Sequence, residues 1–152
     1  MKVMDLDKKT LALLNDVNRA IIKFRGIYSQ WSNTHGLSYN EMLVLYTIRE
    51  KGYCTQKQIC DSYLLPRQTM NNVITGMRKN GLLKLSPENR VGREKAFTLT
   101  EKGKAYACPL MDCMSRFEER AVALLGDEKL TDLTAVMLEY DQALSQAMQD
   151  VG

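Results

Sequence analysis

Between Thr55 and Thr100 the hydrophobic period of the chain changes once, from 3.6 residues to 2, and this change constrains the fold more than any other feature. Thr55-Gln56-Lys57-Gln58 has the form of a capping box, with Thr at the N-cap and Gln three residues on. It predicts a short helix with Ile59 and Tyr63 facing inward, ending near Leu64. Pro66 suits the first turn of a second helix, where its missing N–H costs nothing. That helix carries Met70, Val73, Ile74 and Met77 on one face and stops at Asn80-Gly81. Gly76 inside it costs roughly 1 kcal/mol relative to alanine, which tight helix packing would explain. From Leu82 to Ser86 the pattern is that of a strand, and Pro87 to Glu94 is polar and turn-forming. Lys95 to Thr100 reads as the returning strand, with Phe97 and Leu99 on one side. Two helices joined by a tight turn, followed by a hairpin, make a helix-turn-helix with a wing.

The flanks are helical. Apolar residues recur at helical spacing from Leu6 to Trp31, through Leu13, Leu14, Val17, Ile21, Phe24, Ile27 and Tyr28. Gly36 ends that run. Ser38 to Glu41 forms another capping box, and Met42, Leu43, Leu45, Tyr46 and Ile48 carry a helix to Gly52. After Thr100 a helix extends to about Leu125, with a kink or late start expected at Pro109, and Gly126 breaks it. Asp127 is placed as the cap of a last helix whose apolar face is Leu130, Leu133, Val136, Met137, Tyr140, Leu144 and Met148. The fold class is therefore mainly α with a small β-hairpin wing. The apolar stripes of the terminal helices exceed what one small core covers, so pairing with a second copy competes with ordinary burial.

The 152 residues suit a single domain. The net charge of +3 is unevenly spread: residues 1–50 carry +2, residues 51–104 carry +7 and residues 105–152 carry −6. A basic middle attracts polyanions whatever the net charge, although a solvated surface would also suit it. The four cysteines, Cys54, Cys60, Cys108 and Cys113, form no CxxC pair, and His35 is the sole histidine. A metal site, a cofactor and a Ser-His-Asp triad are not expected, and no phosphate loop or paired-carboxylate site marks an enzyme. No apolar run approaches the roughly 20 residues that span a bilayer. The start, Met1 to Asp5, reaches an acid without an apolar segment, so no secretory signal is read there and a cytoplasmic location is expected.

The second helix of the motif tests the nucleic-acid reading. Opposite its apolar face stand Arg67, Gln68, Asn71, Asn72, Thr75 and Arg78, with Thr69 among them near the start. Arginine pairs with guanine, and asparagine or glutamine with adenine, in the major groove. Asp61 is the single acid between Lys57 and Lys84, so the face avoids repelling phosphates. Thr55, Gln56 and Lys57 sit where a helix N-terminus offers N–H groups to the phosphate backbone. Arg90, Arg93 and Lys95 give the hairpin a cationic tip against Glu88 and Glu94, and Arg90 and Arg93 suit a minor groove, where negative potential favours arginine.

Three segments carry a family resemblance: Leu37 to Leu45; Thr69 to Gly81, continuing into Leu82; and Gly92-Arg93-Glu94-Lys95 with Leu99-Thr100-Glu101-Lys102-Gly103. In this order the chain resembles the MarR family of bacterial winged helix-turn-helix regulators over nearly its whole length. The resemblance implies one domain, 1–152, with a DNA-binding lobe at 37–104 and helical dimerisation regions at 1–36 and 105–152. It implies a homodimer on double-stranded DNA with a pseudo-palindromic operator. Such proteins are usually repressors relieved by a small molecule or by oxidation. Arg93 falls at the family's wing arginine. Val91 stands where the family often has an Asp that braces the wing, and Asn72 where many relatives have Arg, which implies an altered base preference.

Ligands in that family bind between the dimerisation helices and the DNA-binding lobe. The matching candidates for a small aromatic or phenolic effector are Arg25, Tyr28, Trp31, His35 and Tyr46. A thiol-based oxidant sensor on the same fold is an alternative, with Cys54 beside a helix N-terminus that would lower its pKa. A winged helix used for protein contacts, without a specific operator, is another.

Overall fold

The structure is a computed structural model that describes residues 6–152. The reading of the N-terminal segment as lacking a secretory signal concerns residues 1–5 and lies outside the described residues. In chain order the elements are α1 (Lys8–Thr34), α2 (Tyr39–Lys51), β1 (Cys54–Thr55), α3 (Gln56–Tyr63), α4 (Arg67–Lys79), β2 (Leu83–Leu85), β3 (Ala96–Leu99), α5 (Glu101–Leu125) and α6 (Asp127–Val151). They fall into two compact units that divide between Cys108 and Pro109, within α5. No described helix is long and apolar enough to cross a membrane.

In the first unit the helix ends follow the local signals. The Asp7 carboxylate accepts from the N–H groups of Lys9 and Thr10 and starts α1. The boxes at Ser38 and Thr55 both form, each hydroxyl accepting the N3 amide while the N3 side chain returns to the cap N–H. Gly52 closes α2 in the left-handed region, φ +82°. Between α3 and α4 the turn runs through Leu64, which takes φ +51° without being glycine. Pro66 lies one place earlier than read, as the cap rather than inside the first turn.

Helix α2 is the centre of the core. Met42, Leu43, Val44, Leu45, Thr47 and Ile48 are all buried, so it is enclosed on nearly every side. The Thr47 hydroxyl is satisfied by donating to the Leu43 carbonyl at 2.9 Å. Ile59 from α3, Met70, Ile74 and Met77 from α4, and Phe97 from β3 are buried with them.

The structure corrects the hairpin. Cys54 and Thr55 form a short strand that pairs antiparallel with β3, giving a three-stranded sheet of order β1-β3-β2. Strand β3 is thus central, and both Ala96 and Phe97 are buried while Leu99 is only half-buried. Adjacent strand residues point to opposite faces, so the burial of both Ala96 and Phe97 means that this part of β3 is covered on both faces and carries no alternation. Tyr63 was expected inward but is exposed, as α3 ends beside it. Gly76 is not a tight contact: a Cβ there would meet nothing within 4 Å.

Two further corrections concern the last helices. Helix α5 starts at Glu101 and runs through Pro109, so the late start does not occur. Asp127 is the first residue of α6 rather than its cap, which is Gly126 at φ +99°. In the second unit Met111 and Met114 are buried, whereas α6 contains no buried residue. Leu133, Val136, Leu144 and Met148 are exposed, and so are Leu13, Val17, Phe24 and Ile27 of α1 in the first unit.

Candidate nucleic-acid interface

Helix α4 presents the expected two faces. Met70, Ile74 and Met77 are buried, Val73 and Thr69 are half-buried, and Arg67, Gln68, Asn71, Asn72, Thr75 and Arg78 are exposed. The exposed amides are already ordered among themselves. Gln56 Nε2 donates to Asn71 Oδ1 at 3.0 Å, linking the start of α3 to the middle of α4. Gln68 Nε2 donates to Asn72 Oδ1 at 2.9 Å, one turn along the same helix. Each pair leaves an Nδ2 donor and one lone pair for a further partner, the combination that an adenine edge needs.

The cationic candidates divide by their partners. Lys57 Nζ lies 2.6 Å from Asp61 Oδ2. That hydrogen bond and charge push the lysine above its usual pKa. The Arg67 guanidinium meets Glu94 at 2.8 Å, and the hydrogen bond pushes its pKa up as well. Arg78 lies with its guanidinium 5.4 Å from the centroid of the Phe97 ring, so its charge rests on the sheet. Arg93 and Lys95 are exposed on the wing. Arg90, also exposed, donates from Nε to the Gly92 carbonyl at 3.0 Å. Thr55 is buried, and its hydroxyl accepts from the Gln58 N–H at 3.0 Å. Its side chain sets the α3 N-terminus rather than facing outward.

The wing is a tight turn. Val91 and Glu94 exchange both backbone hydrogen bonds, at 3.2 and 2.9 Å, around Gly92 at φ +58°. Asn89 Nδ2 donates to Ser86 Oγ at 2.8 Å and closes its base.

The effector candidates separate. Tyr28 and Tyr46 line a cleft of about 240 Å³ together with Tyr39, Met42, Leu43 and Tyr63. Arg25 stacks over Tyr39 with its guanidinium 5.0 Å from the ring centroid, and Arg49 over Tyr46 at 4.3 Å. Trp31 and His35 instead stack on each other, centroids 4.1 Å apart, and His35 Nδ1 lies 2.8 Å from the Trp31 carbonyl. Tyr39 and Tyr63 were missed because their side chains meet the others only through the packing of three helices.

The thiols do not match the lowered pKa expected for Cys54. It is fully buried on β1, and burial pushes it up to about 12. Burial also raises the pKa of Cys60. Cys108 is exposed and Cys113 half-buried. Among the described residues no group of three or more His, Cys, Asp or Glu is placed to hold a metal ion.

The raised Cys54 value has a consequence for stability. Below pH 9 the thiol is neutral folded and unfolded, and its contribution is complete. Above pH 9 the unfolded thiol ionises while the buried one resists until about 12, so stability falls as pH rises through that window. The advantage of the natural chain over Cys54→Ala is expected to shrink by about 1 kcal/mol between pH 8 and 10 in urea unfolding. Parallel pH profiles for the two proteins would contradict the burial argument.

Residues 35–94, the segment that holds the helix-turn-helix and the wing turn, match the MarR family. Among solved structures, a MarR family regulator from Neisseria meningitidis is 28% identical, covering 92% of this chain and 99% of its own, with a TM-score of 0.83. Staphylococcus aureus MarR in complex with salicylate and kanamycin is 16% identical, covering 92% and 95%, with a TM-score of 0.68. Overoxidized AbfR bound to DNA is 20% identical, covering 94% and 99%, with a TM-score of 0.65. At such identities the last two show a shared fold. No curated protein matches the chain. The central segment of the chain is thus similar to the MarR family, and its fold is similar to that of a 28% identical MarR family regulator over nearly the full length of both.

Proposed function

We propose that this protein is a homodimeric, sequence-specific DNA-binding repressor that acts in the cytoplasm on a pseudo-palindromic operator. The observation that carries the reading is the exposed, acid-free face of α4, with Gln68, Asn71, Asn72 and Thr75 held ready beside a wing that exposes Arg90, Arg93 and Lys95. In this reading α4 enters the major groove, Gln56 and Lys57 approach the phosphate backbone, and Arg93 enters the adjacent minor groove. Residues 37–104 act as the DNA-binding lobe. Residues 1–36 and 105–152 pair two copies, which the exposed apolar residues of α1 and α6 support. Two recognition helices then meet half-sites about 34 Å apart.

The tyrosine-lined cleft is our candidate for the effector site. Its aromatic walls and the arginines stacked on Tyr39 and Tyr46 suit a small aromatic or phenolic acid. Salicylate bound to the Staphylococcus aureus relative supports this class of ligand.

Fluorescence anisotropy tests the reading, using duplex from upstream of the protein's own coding sequence, a scrambled duplex and a salt series. Tighter binding to the native duplex that falls steeply with salt supports it, because phosphate contacts release counterions. Absence of duplex binding at low salt would favour a protein-interaction module. Arg93→Ala is expected to weaken binding to every sequence and to reduce the salt slope by about 1, whereas Asn71→Ala relaxes discrimination by about 1–3 kcal/mol at one base pair. Equal loss on all duplexes for Asn71→Ala would remove its base-reading role.

A further inference from the structure

Arg67 is the first residue of α4, and Glu94 closes the wing turn 27 residues later. Their side chains meet at 2.8 Å, and the carboxylate is the more covered partner, 26% exposed against 55%. The backbone that carries Glu94 is fixed by its two hydrogen bonds with Val91. Elsewhere the wing stands clear of α3. A gap of about 220 Å³, lined by Thr55, Lys57, Gln58, Asp61, Val91 and Glu94, separates them. The charged groups facing this gap are Lys57, Asp61 and Glu94, with Lys57 already engaged by Asp61. The ion pair therefore spans the open side of the wing and ties its turn to the start of the recognition helix.

We propose that Glu94 is a positioning residue for duplex binding: through Arg67 it holds the wing turn, and with it Arg93, at a fixed separation from α4, and Arg67 serves this brace rather than a base edge. The proposal rests on the DNA-binding reading for its consequence, though not for its geometry. An exposed ion pair is weak and screened by salt, so the brace loosens as ionic strength rises. Its effect is expected in the order of the wing and in modest changes of affinity.

Amide hydrogen exchange on the DNA-free protein tests the geometry. Arg67→Gln and Glu94→Gln should each raise exchange across residues 87–95 by about threefold, and the double variant no further. Exchange in α2 should be unchanged, which shows that the variants are folded. The single reversals Arg67→Glu and Glu94→Arg should also raise it, and the two together should restore protection. Unchanged exchange in the single variants, or a swapped pair no better than the singles, would overturn the brace.

Anisotropy on duplex tests the consequence. Arg67→Gln and Glu94→Gln should lower affinity by similar factors, about threefold, without changing discrimination between sequences. A loss confined to Arg67→Gln and accompanied by relaxed specificity would make Arg67 a base reader and overturn its assignment here. If exchange responds as expected while the natural protein binds no duplex, the brace stands and the DNA-binding reading falls.

Discussion

Gly103→Ala is expected to unfold about 10 °C below the natural chain, a loss of about 3 kcal/mol. A Cβ at Gly103 would lie 2.0 Å from the Leu82 carbonyl oxygen and 2.9 Å from its carbon. Neither atom can move away cheaply. The Leu82 N–H donates to the Met77 carbonyl at 2.9 Å, and the Leu82 oxygen accepts from the Thr100 N–H at 3.0 Å. The Thr100 hydroxyl accepts from the Gly103 N–H at 2.9 Å and donates to the Gly81 carbonyl. Thr100 thus caps α5 and binds its first turn to the end of α4 and the start of β2. This accounts for the Thr100 to Gly103 stretch that contributed to the family resemblance. Gly76→Ala is the control, since its Cβ would meet open space inside α4. That variant should gain about 1 kcal/mol. Calorimetry reads both, and a Gly103→Ala protein melting within a degree or two of the natural chain would show that the close approach is not maintained in solution.

The second large effect concerns assembly. Leu144→Glu combined with Met148→Glu is expected to convert a dimer of twice 17.3 kDa into a monomer in sedimentation equilibrium. Both side chains are exposed, 52% and 73%, on a helix that buries nothing of its own. Both side chains are largely exposed in the single chain, so the substitutions remove little of its own packing, and helix content by circular dichroism should stay the same. A covered dimer interface would instead receive four carboxylates, two from each copy, which cannot be desolvated without partners. Duplex affinity should fall by about 100-fold or more, because two linked half-site contacts become one. A natural chain that sediments as a monomer, or a variant that remains a dimer, would place the covered surface elsewhere or remove the homodimer from the reading.

Much of the first unit was legible because its signals are local. Both capping boxes formed at the residues read, and α2 and α4 ended at the glycines and asparagine that marked them. The buried and exposed faces of α4 followed from a 3.6-residue period over thirteen residues. Asp127 and Pro109 mark the limit of such signals. A good capping residue at the wrong place is overridden by Gly126, and at Pro109, read as lying inside a helix that ends near Leu125, the residue type left a kink and a late start both open, of which the late start does not occur. Leu64 at φ +51° carries no glycine signal at all, so the turn geometry of the helix-turn-helix could not be read from residue type.

The candidate site divides in the same way. The residues that α4 exposes were visible as one side of a periodic pattern, because helix geometry alone puts them there. Their partners were not. The contacts of Gln56 with Asn71, Arg67 with Glu94 and Arg78 with Phe97 join different elements, and no spacing rule connects residues 15, 27 and 19 places apart. The same holds for the tyrosine-lined cleft and for β1, two residues too short to announce a strand until β3 lies beside them. Periodicity and capping act within a few residues, so they define helices and their faces. Contacts between elements depend on how the chain packs those faces, and that is where the thiol of Cys54 was buried and Arg67 at the start of α4 met Glu94 of the wing turn.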